Sequence, residues 1–314
     1  MQTKEGKLSI VLPAYNEEAV IKTAGNVISQ LLEKEKIEFE VIFVNDGSRD
    51  NTWKAVKELV RENHRIKGIS FSRNFGKEAA ILSGLSHSTG ECCVVMDCDL
   101  QHPPQLIPLM YKLWQEGYEV VEGVKKDRGI ESQVHKAAAN MFYKIISWAT
   151  QIDMSNASDF KLLDRKAVDA LLAMPERHPF FRALSSWVGF KKTTVEFEVQ
   201  ERESGESKWS SWSLIKYAIT NITSFSTFPL QMITIFGIIC FLFALAIGIQ
   251  TLYSYFAGGV ADGFTAIIIL LLLIGSILMI GLGIIGYYLS KIFDEVRQRP
   301  RYIIDEIANE TNAN

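Results

Sequence analysis

Val94-Val95-Met96-Asp97-Cys98-Asp99-Leu100-Gln101-His102-Pro103-Pro104 is the stretch from which the rest of the chain can be read. Cys92 to Met96 is apolar and predicts a buried strand, with two carboxylates and a double proline after it. In a strand successive side chains alternate faces, so Asp97 and Asp99 are expected to point one way and Cys98 the other. Two carboxylates at the carboxyl end of a central strand make a hard-oxygen site. Such a site suits Mg²⁺ or Mn²⁺, held by few protein ligands and completed by phosphate oxygens. Crevices outside the carboxyl ends of parallel strands are also where α/β sheets bind ligands. The plainer reading of these residues alone is an acidic turn capping a helix from Pro104, since a lone Asp-x-Asp recurs often by chance.

Upstream, Leu8 to Pro13 reads as an apolar strand, followed by the turn Ala14-Tyr15-Asn16-Glu17-Glu18. Phe39 to Val44 alternates little, as a strand buried on both faces should. It ends at Asn45-Asp46-Gly47-Ser48. Ile66 to Phe71 is a third strand, leading into Arg73-Asn74-Phe75-Gly76-Lys77 and a helix of small residues. Glu119 to Val124 is a fifth strand. Strands alternating with helical stretches argue for a parallel, helix-covered sheet. With polar clusters at the carboxyl end of each strand, this is the layout of a Rossmann-like nucleotide-binding α/β domain.

The 314 residues are 48% hydrophobic with a formal net charge of -3, so nothing marks a nucleic-acid partner. Cys92, Cys93, Cys98 and Cys240 lack Cys-x-x-Cys spacing and read as reduced thiols used as small core residues. Residues 1 to 7 are polar, and Leu8 to Leu12 is too short for a signal h-region, so no secretory signal is expected. Phe228 to Leu252 and Phe264 to Leu289 carry no charge, and each is long enough to span a bilayer, which takes about 20 residues. Tyr253 to Gly263 between them has Asp262 and no Lys or Arg. Lys216 precedes the pair, and Lys291, Arg297, Arg299 and Arg301 follow it. The positive-inside rule puts both ends in the cytoplasm with a short external turn.

Val134, Ala138, Met141, Ile145 and Trp148 have helical spacing, as do Trp212, Ile215, Ile219 and Ile222. The second set runs into the first span with Trp209 and Trp212, residues that favour the headgroup level, so an interfacial helix is expected there. Cys240, Ala244 and Gly248 form a small-residue face that suits self-association as a dimer or tetramer.

The polar clusters taken together resemble the family 2 glycosyltransferases with a GT-A fold. The nearest subgroup is the polyprenyl-phosphate glycosyltransferases, namely bactoprenol glucosyltransferases and dolichol-phosphate mannose synthases. The resemblance is carried by Pro13-Ala14-Tyr15-Asn16-Glu17-Glu18, Asn45-Asp46-Gly47-Ser48, Arg73-Asn74-Phe75-Gly76-Lys77 and Asp97-Cys98-Asp99-Leu100-Gln101. Ser158-Asp159-Phe160-Lys161-Leu162-Leu163, Arg202-Glu203-Ser204-Gly205-Glu206-Ser207-Lys208-Trp209 and Arg297-Gln298-Arg299-Pro300 continue it. It implies a catalytic domain over 1–208, an interfacial amphipathic helix over 209–227, two transmembrane helices over 228–289 and a cytoplasmic tail over 290–314.

The resemblance also implies a site. Asp97 and Asp99 would hold Mg²⁺ or Mn²⁺, with Gln101 a further ligand candidate by family likeness. Pro13, Tyr15, Glu17 and Asp46 would surround the nucleobase and ribose. Asn45 stands where many relatives have an aspartate. Lys77 would reach toward phosphate across the cleft. Arg202 and Lys208, flanking Ser204-Gly205, suit a catalytic lid over the phosphates, with Ser207 beside them. Lys125, Lys126 and Arg128 form a basic loop for the acceptor phosphate. Asp159 is marked as a candidate catalytic base. Because a phosphate monoester is mostly a dianion at neutral pH, its second pKa being about 6, Asp159 is expected to position substrates rather than take a proton. The plainer reading of Asp159 is a partner of Lys161 or a helix cap near Arg165.

The reading is an inverting transferase that moves a hexose, glucose from UDP-glucose first, onto undecaprenyl or another polyprenyl phosphate at the cytoplasmic leaflet of the plasma membrane. GDP-mannose and UDP-aminoarabinose are the alternative donors. A flippase and a transferase using the lipid-linked sugar would follow. Two spans make no polymer channel, and no Gln-x-x-Arg-Trp is present, which disfavours a processive synthase. No Gly-x-Gly-x-x-Gly follows the first strand, which disfavours an NAD enzyme. A non-catalytic nucleotide-binding membrane scaffold is the rival from another class, and it would need neither carboxylate nor lid cation.

Overall fold

Four apolar runs become the strands at the centre of the sheet: Leu8–Ala14 (β1), Phe39–Asn45 (β2), Ile66–Phe71 (β3) and Cys92–Val95 (β4). β1, β2 and β4 are buried at every residue, as strands covered on both faces must be. β1 pairs in parallel with both β2 and β4, and β2 with β3, giving a parallel core. The computed structural model describes residues 4–125, 158–176, 180–197, 228–257 and 263–309. Val120–Lys125 (β5), Lys161–Asp164 (β6), Lys192–Phe197 (β7) and Ile304–Ala308 (β8) complete an eight-stranded sheet of order β7-β5-β6-β4-β1-β2-β3-β8.

The sheet is mixed where the alternation of strands and helices predicts a parallel one. β6 runs antiparallel between β4 and β5, and β8 antiparallel to β3. β6 escapes a hydropathy reading because Lys161 lies at its start. That lysine is fully buried, and its ammonium lies 3.0 Å from Glu122, its register partner on β5.

Glu18–Lys34 (α1) and Thr52–Glu62 (α2) bury apolar stripes at helical spacing, Ile21, Ala24, Ile28 and Leu32 in the first and Val56, Leu59 and Val60 in the second. Lys77–Ser86 (α3) is buried from Ala79 to Leu85. Its small residues let the backbone lie on β1, since a Cβ on Gly84 would come within 2.2 Å of Val11. Ile107–Gln115 (α4), Arg165–Ala173 (α5) and Phe181–Trp187 (α6) follow. Asp164, not Asp159, caps α5, accepting the Lys166 N–H at 3.0 Å.

The chain divides into two compact units, Met1–Trp209 with Arg299–Asn314, and Ser210–Gln298. The second holds Phe228–Phe256 (α7) and Phe264–Val296 (α8), both long and apolar enough to cross a membrane. Most of their large apolar side chains that are described, from Ile235 to Leu289, face outward. Gly281 of α8 lies against Ile233 of α7, whereas Gly248 faces open space, so the expected small-residue face is not used within the pair. The helix expected around Val134 to Trp148 and the interfacial helix lie outside the described residues. Residues 290–314, expected as a tail, include the end of α8 and then β8, which covers the open edge of β3.

Candidate active site

The loops after β1, β2, β3 and β4 converge on one cavity of about 300 Å³, lined by Pro13, Ala14, Tyr15, Glu17, Asp46, Asn74, Gly76, Lys77, Ala80, Asp97, Cys98 and Asp99. Each loop turns through a left-handed residue: Asn16 (φ 57), Gly47 (φ 61), Gly76 (φ 100) and Leu100 (φ 58). At Gly47 the demand is also steric, because a Cβ would lie 2.3 Å from the Arg73 carbonyl carbon. Leu100 is the costly member, since a side chain in this conformation costs roughly 1–2 kcal/mol. It lies in the acidic turn, as strained residues at functional sites commonly do.

The alternation argument for Asp97 and Asp99 does not apply as expected. β4 ends at Val95, and both carboxylates stand in the turn that follows. Cys98 lines the same cavity while being buried in the core. What brings the carboxylates together is the turn, closed by the Gln101 N–H donating to Asp99 Oδ1 at 3.0 Å. His102 supports it from beneath. The Asp97 N–H points at His102 Nδ1 (3.4 Å), and the imidazole stacks on Phe160 at 5.1 Å and 18°. Burial holds this histidine below its ordinary pKa, which favours the neutral ring that can accept this N–H.

Asp46 is buried at the end of β2, and its two oxygens accept the Phe75 N–H (2.6 Å) and Gly76 N–H (2.9 Å). Burial nevertheless raises its pKa, outweighing these bonds and the nearby Arg73 charge. It ties the β3 loop to the β2 loop and presents a face to the cavity. Asn45 serves the turn: it donates to Ser70 Oγ at 2.9 Å and accepts the Ser48 N–H at 3.2 Å. An aspartate could accept both bonds but donate neither.

Behind the acidic turn runs a line of alternating charge. Lys77 Nζ lies 2.6 Å from Asp97 Oδ1 and 2.7 Å from Asp159 Oδ2. Arg182, at the start of α6, closes a two-pronged pair on Asp159 at 2.7 and 2.8 Å. Burial alone would raise the Asp159 carboxyl. The Arg182 hydrogen bonds and the Lys77 charge overcome it and hold the group well below the usual carboxylate range. The two carboxylates in turn raise Lys77, against its own burial. Glu78 accepts the Phe181 N–H at 2.9 Å and so pins the start of α6; burial and the Asp159 charge push its carboxyl up to about 7. Asp159 is thus paired with neither Lys161 nor the α5 terminus. It is a fixed anion between two cations.

Seven expected donor residues, Pro13, Tyr15, Glu17, Asp46, Lys77, Asp97 and Asp99, line the one cavity, while Gln101 is held in the adjoining turn and does not line it. Lys125 ends β5. Lys126, Arg128, Arg202, Ser207 and Lys208 lie outside the described residues. No group of three or more His, Cys, Asp and Glu side chains suited to a metal occurs among the described residues. Two carboxylates at a cavity wall still fit Mg²⁺ or Mn²⁺, which take one or two carboxylates and fill the remaining positions with water and substrate phosphate. Arg182, Glu78 and His102 were not found from the sequence. His102 and Glu78 adjoin the clusters after β4 and β3 but showed no ligand spacing there, and only the fold brings Arg182 to Asp159.

The Glycosyl transferase family 2 model matches residues 9–172. The uncharacterized glycosyltransferase YkcC of Bacillus subtilis is 40% identical over 306 residues, covering 95% of this chain and 93% of its own. The SfII prophage-derived bactoprenol glucosyl transferase of Shigella flexneri is 36% identical over 303 residues, covering 95% and 97%. Among solved structures, glucosyl-3-phosphoglycerate synthase from Mycobacterium tuberculosis, in complex with Mn²⁺, UDP and phosphoglyceric acid, shares the fold. Its TM-score is 0.52 at 19% identity, over 69% of this chain and 76% of that one. A family match over more than half the chain, on a cavity built from the family's motifs, makes this protein a glycosyltransferase of family 2.

Proposed function

We propose that the chain is a membrane-anchored, inverting hexosyltransferase that moves glucose from UDP-glucose to undecaprenyl or a related polyprenyl phosphate at the cytoplasmic leaflet. The observation that carries this reading is one cavity wall bearing Asp97, Asp99 and Lys77, backed by Asp159 fixed between Lys77 and Arg182. The Shigella relative named as a bactoprenol glucosyl transferase, matched along almost its whole length, supports the sugar and the lipid.

In this reading Pro13, Tyr15, Glu17 and Asp46 receive the nucleoside, and Asp97 and Asp99 hold the divalent ion. Bound there, Mg²⁺ or Mn²⁺ would neutralise the donor diphosphate and the charge that develops on the departing UDP. An oxygen of the acceptor phosphate attacks the anomeric carbon, the bond to UDP breaks, and the configuration inverts. The acceptor needs no base, since at neutral pH it is mostly a dianion, the second pKa being about 6. Asp159 is accordingly a positioning anion, and its clamped carboxylate suits that role better than proton abstraction. Arg202, Ser207 and Lys208, with Lys125 and Arg128, are proposed to close over the acceptor phosphate.

The α7–α8 hairpin is proposed as the anchor, because a polyprenyl phosphate is confined to the bilayer. Each of its helices is long and apolar enough to cross a membrane, and the Lys and Arg residues that flank the pair support a cytoplasmic position for both ends. A thermal-shift panel tests the donor site. UDP and UDP-glucose with Mg²⁺ or Mn²⁺ should stabilise the purified chain by about 2.7 kcal/mol at a hundredfold excess over Kd, and without the ion by much less. A stronger response to GDP-mannose or UDP-aminoarabinose would change the sugar. No response to any nucleotide would overturn the site.

A further inference from the structure

The chain re-enters the catalytic unit with Arg301-Tyr302-Ile303, just after the second apolar helix. Arg301 bonds the Met174 carbonyl, Ser72 donates to the Ile303 carbonyl at 3.1 Å, and β8 then pairs along β3. Glu306 accepts the Trp53 indole N–H at 2.7 Å, tying the strand to α2. These contacts would suffice to cover an edge strand.

Tyr302 does something further. Its ring stacks on Phe71 at 5.0 Å and 11°, and its hydroxyl meets Ser86 Oγ at 3.1 Å. Phe71 in turn meets Phe75 edge-on at 5.8 Å and 89°, and the Arg73 guanidinium lies over the Phe75 ring at 4.2 Å. Phe75 and Gly76 are the residues whose N–H groups hold Asp46, and Asp46, Asn74, Gly76 and Lys77 form one side of the donor cavity. Three aromatic rings therefore run from the exit of the hairpin to the cavity wall.

We propose that Tyr302 is a positioning residue of the donor site: stacked on Phe71, it fixes Phe75 and so the 73–77 loop that shapes the nucleotide pocket. The inference rests on the reading of that cavity as the donor site. It makes the C-terminal segment part of the enzyme's binding apparatus rather than a tail.

The test uses the full chain in detergent, as wild type and as Tyr302→Ala, Tyr302→Leu and Tyr302→Phe. Affinity for UDP and GDP with Mn²⁺ is measured, together with hydrogen exchange at the Phe75 and Gly76 amides and the melting temperature. Losing one aromatic stack should weaken nucleotide binding about three- to tenfold and speed exchange at those two amides by a similar factor, with maximal rate changed less than KM. Tyr302→Leu keeps most of the apolar volume and supplies the answer if the alanine variant does not fold. Tyr302→Phe keeps the stack and should bind within about twofold of wild type. A folded alanine or leucine variant that binds nucleotide as wild type does, or that only melts lower, overturns the proposal. So does a phenylalanine variant that loses as much as alanine. An error in the uridine assignment shows separately, as wild-type protein preferring GDP, and the same comparison is then read on GDP.

Discussion

Replacing Arg182 by leucine should cost the catalytic unit about 2–3 kcal/mol. Asp159 is 5% exposed, and Arg182 supplies both of its hydrogen bonds on one side, at 2.7 and 2.8 Å. Breaking a buried pair by removing one partner typically costs about 3–5 kcal/mol, because the remaining charge is left uncompensated. Here Lys77 stays 2.7 Å away, and the Arg182 side chain is 31% exposed, so a cost at or just below the bottom of that range is expected. For a unit of this size the loss corresponds to a melting temperature about 5–10 °C lower. The measurement belongs at pH 7. Asp159 has its folded pKa depressed, so the pair's contribution is fully present above the unfolded carboxylate pKa. It is lost only as pH falls through the lower folded value. A double-mutant cycle isolates the cause: in an Asp159→Asn background, Arg182→Leu should cost less than about 1 kcal/mol. A shift under about 2 °C in the single variant, or the same loss in both backgrounds, refutes the claim that Arg182 holds a buried anion.

Asp97→Asn or Asp99→Asn should abolish transfer while leaving the melting temperature without ligand within about 2 °C of wild type, because both side chains serve the cavity and not the core. Near-normal turnover at saturating Mn²⁺ would remove the metal assignment. Glu78→Gln should flatten the stability profile between about pH 4.5 and 7. With the folded pKa raised to about 7, the wild type holds an extra proton in that window and loses stability as pH rises through it. The window follows from the ordinary glutamate pKa of about 4.3 in the unfolded chain, and parallel profiles for the two proteins would contradict it. A reporter fused after Asn314 should read cytoplasmic and one inserted at Gly258-Gly259 external, while an external C-terminus would break the hairpin reading.

The residues that face the cavity were legible because a parallel sheet exposes its strand ends, and those ends carry short polar clusters between apolar runs. Tyr15 and Asp97 follow such a run directly, Asp46 comes one residue later, and Lys77 closes the Arg73-to-Lys77 cluster after β3. What supports them was not legible. Lys161 reads as a solvent residue, and only partners distant in sequence, Glu122 across the sheet with the Ser185 hydroxyl and the Arg182 carbonyl, allow it to be buried. Arg182 follows Phe180 and Phe181 and carries no motif; its role exists only once α6 is laid against Asp159. Leu100 gives no hint of its left-handed backbone, because leucine has no preference for it. β8 was hidden for another reason: Ile304 to Ala308 is short, carries Asp305 and Glu306, and follows a long apolar helix after which a tail is the natural expectation.

The central claim is that a sugar moves from a nucleotide to a lipid phosphate. It is tested most directly by incubating the purified, reconstituted chain with radiolabelled UDP-glucose, Mn²⁺ and short-chain polyprenyl phosphate, and then partitioning the products. The account predicts label in the organic phase, dependent on the lipid phosphate and on the divalent ion, with the anomeric configuration inverted. Label that stays aqueous with UDP-glucose, GDP-mannose and UDP-aminoarabinose alike, while the protein is folded and binds nucleotide, would contradict it.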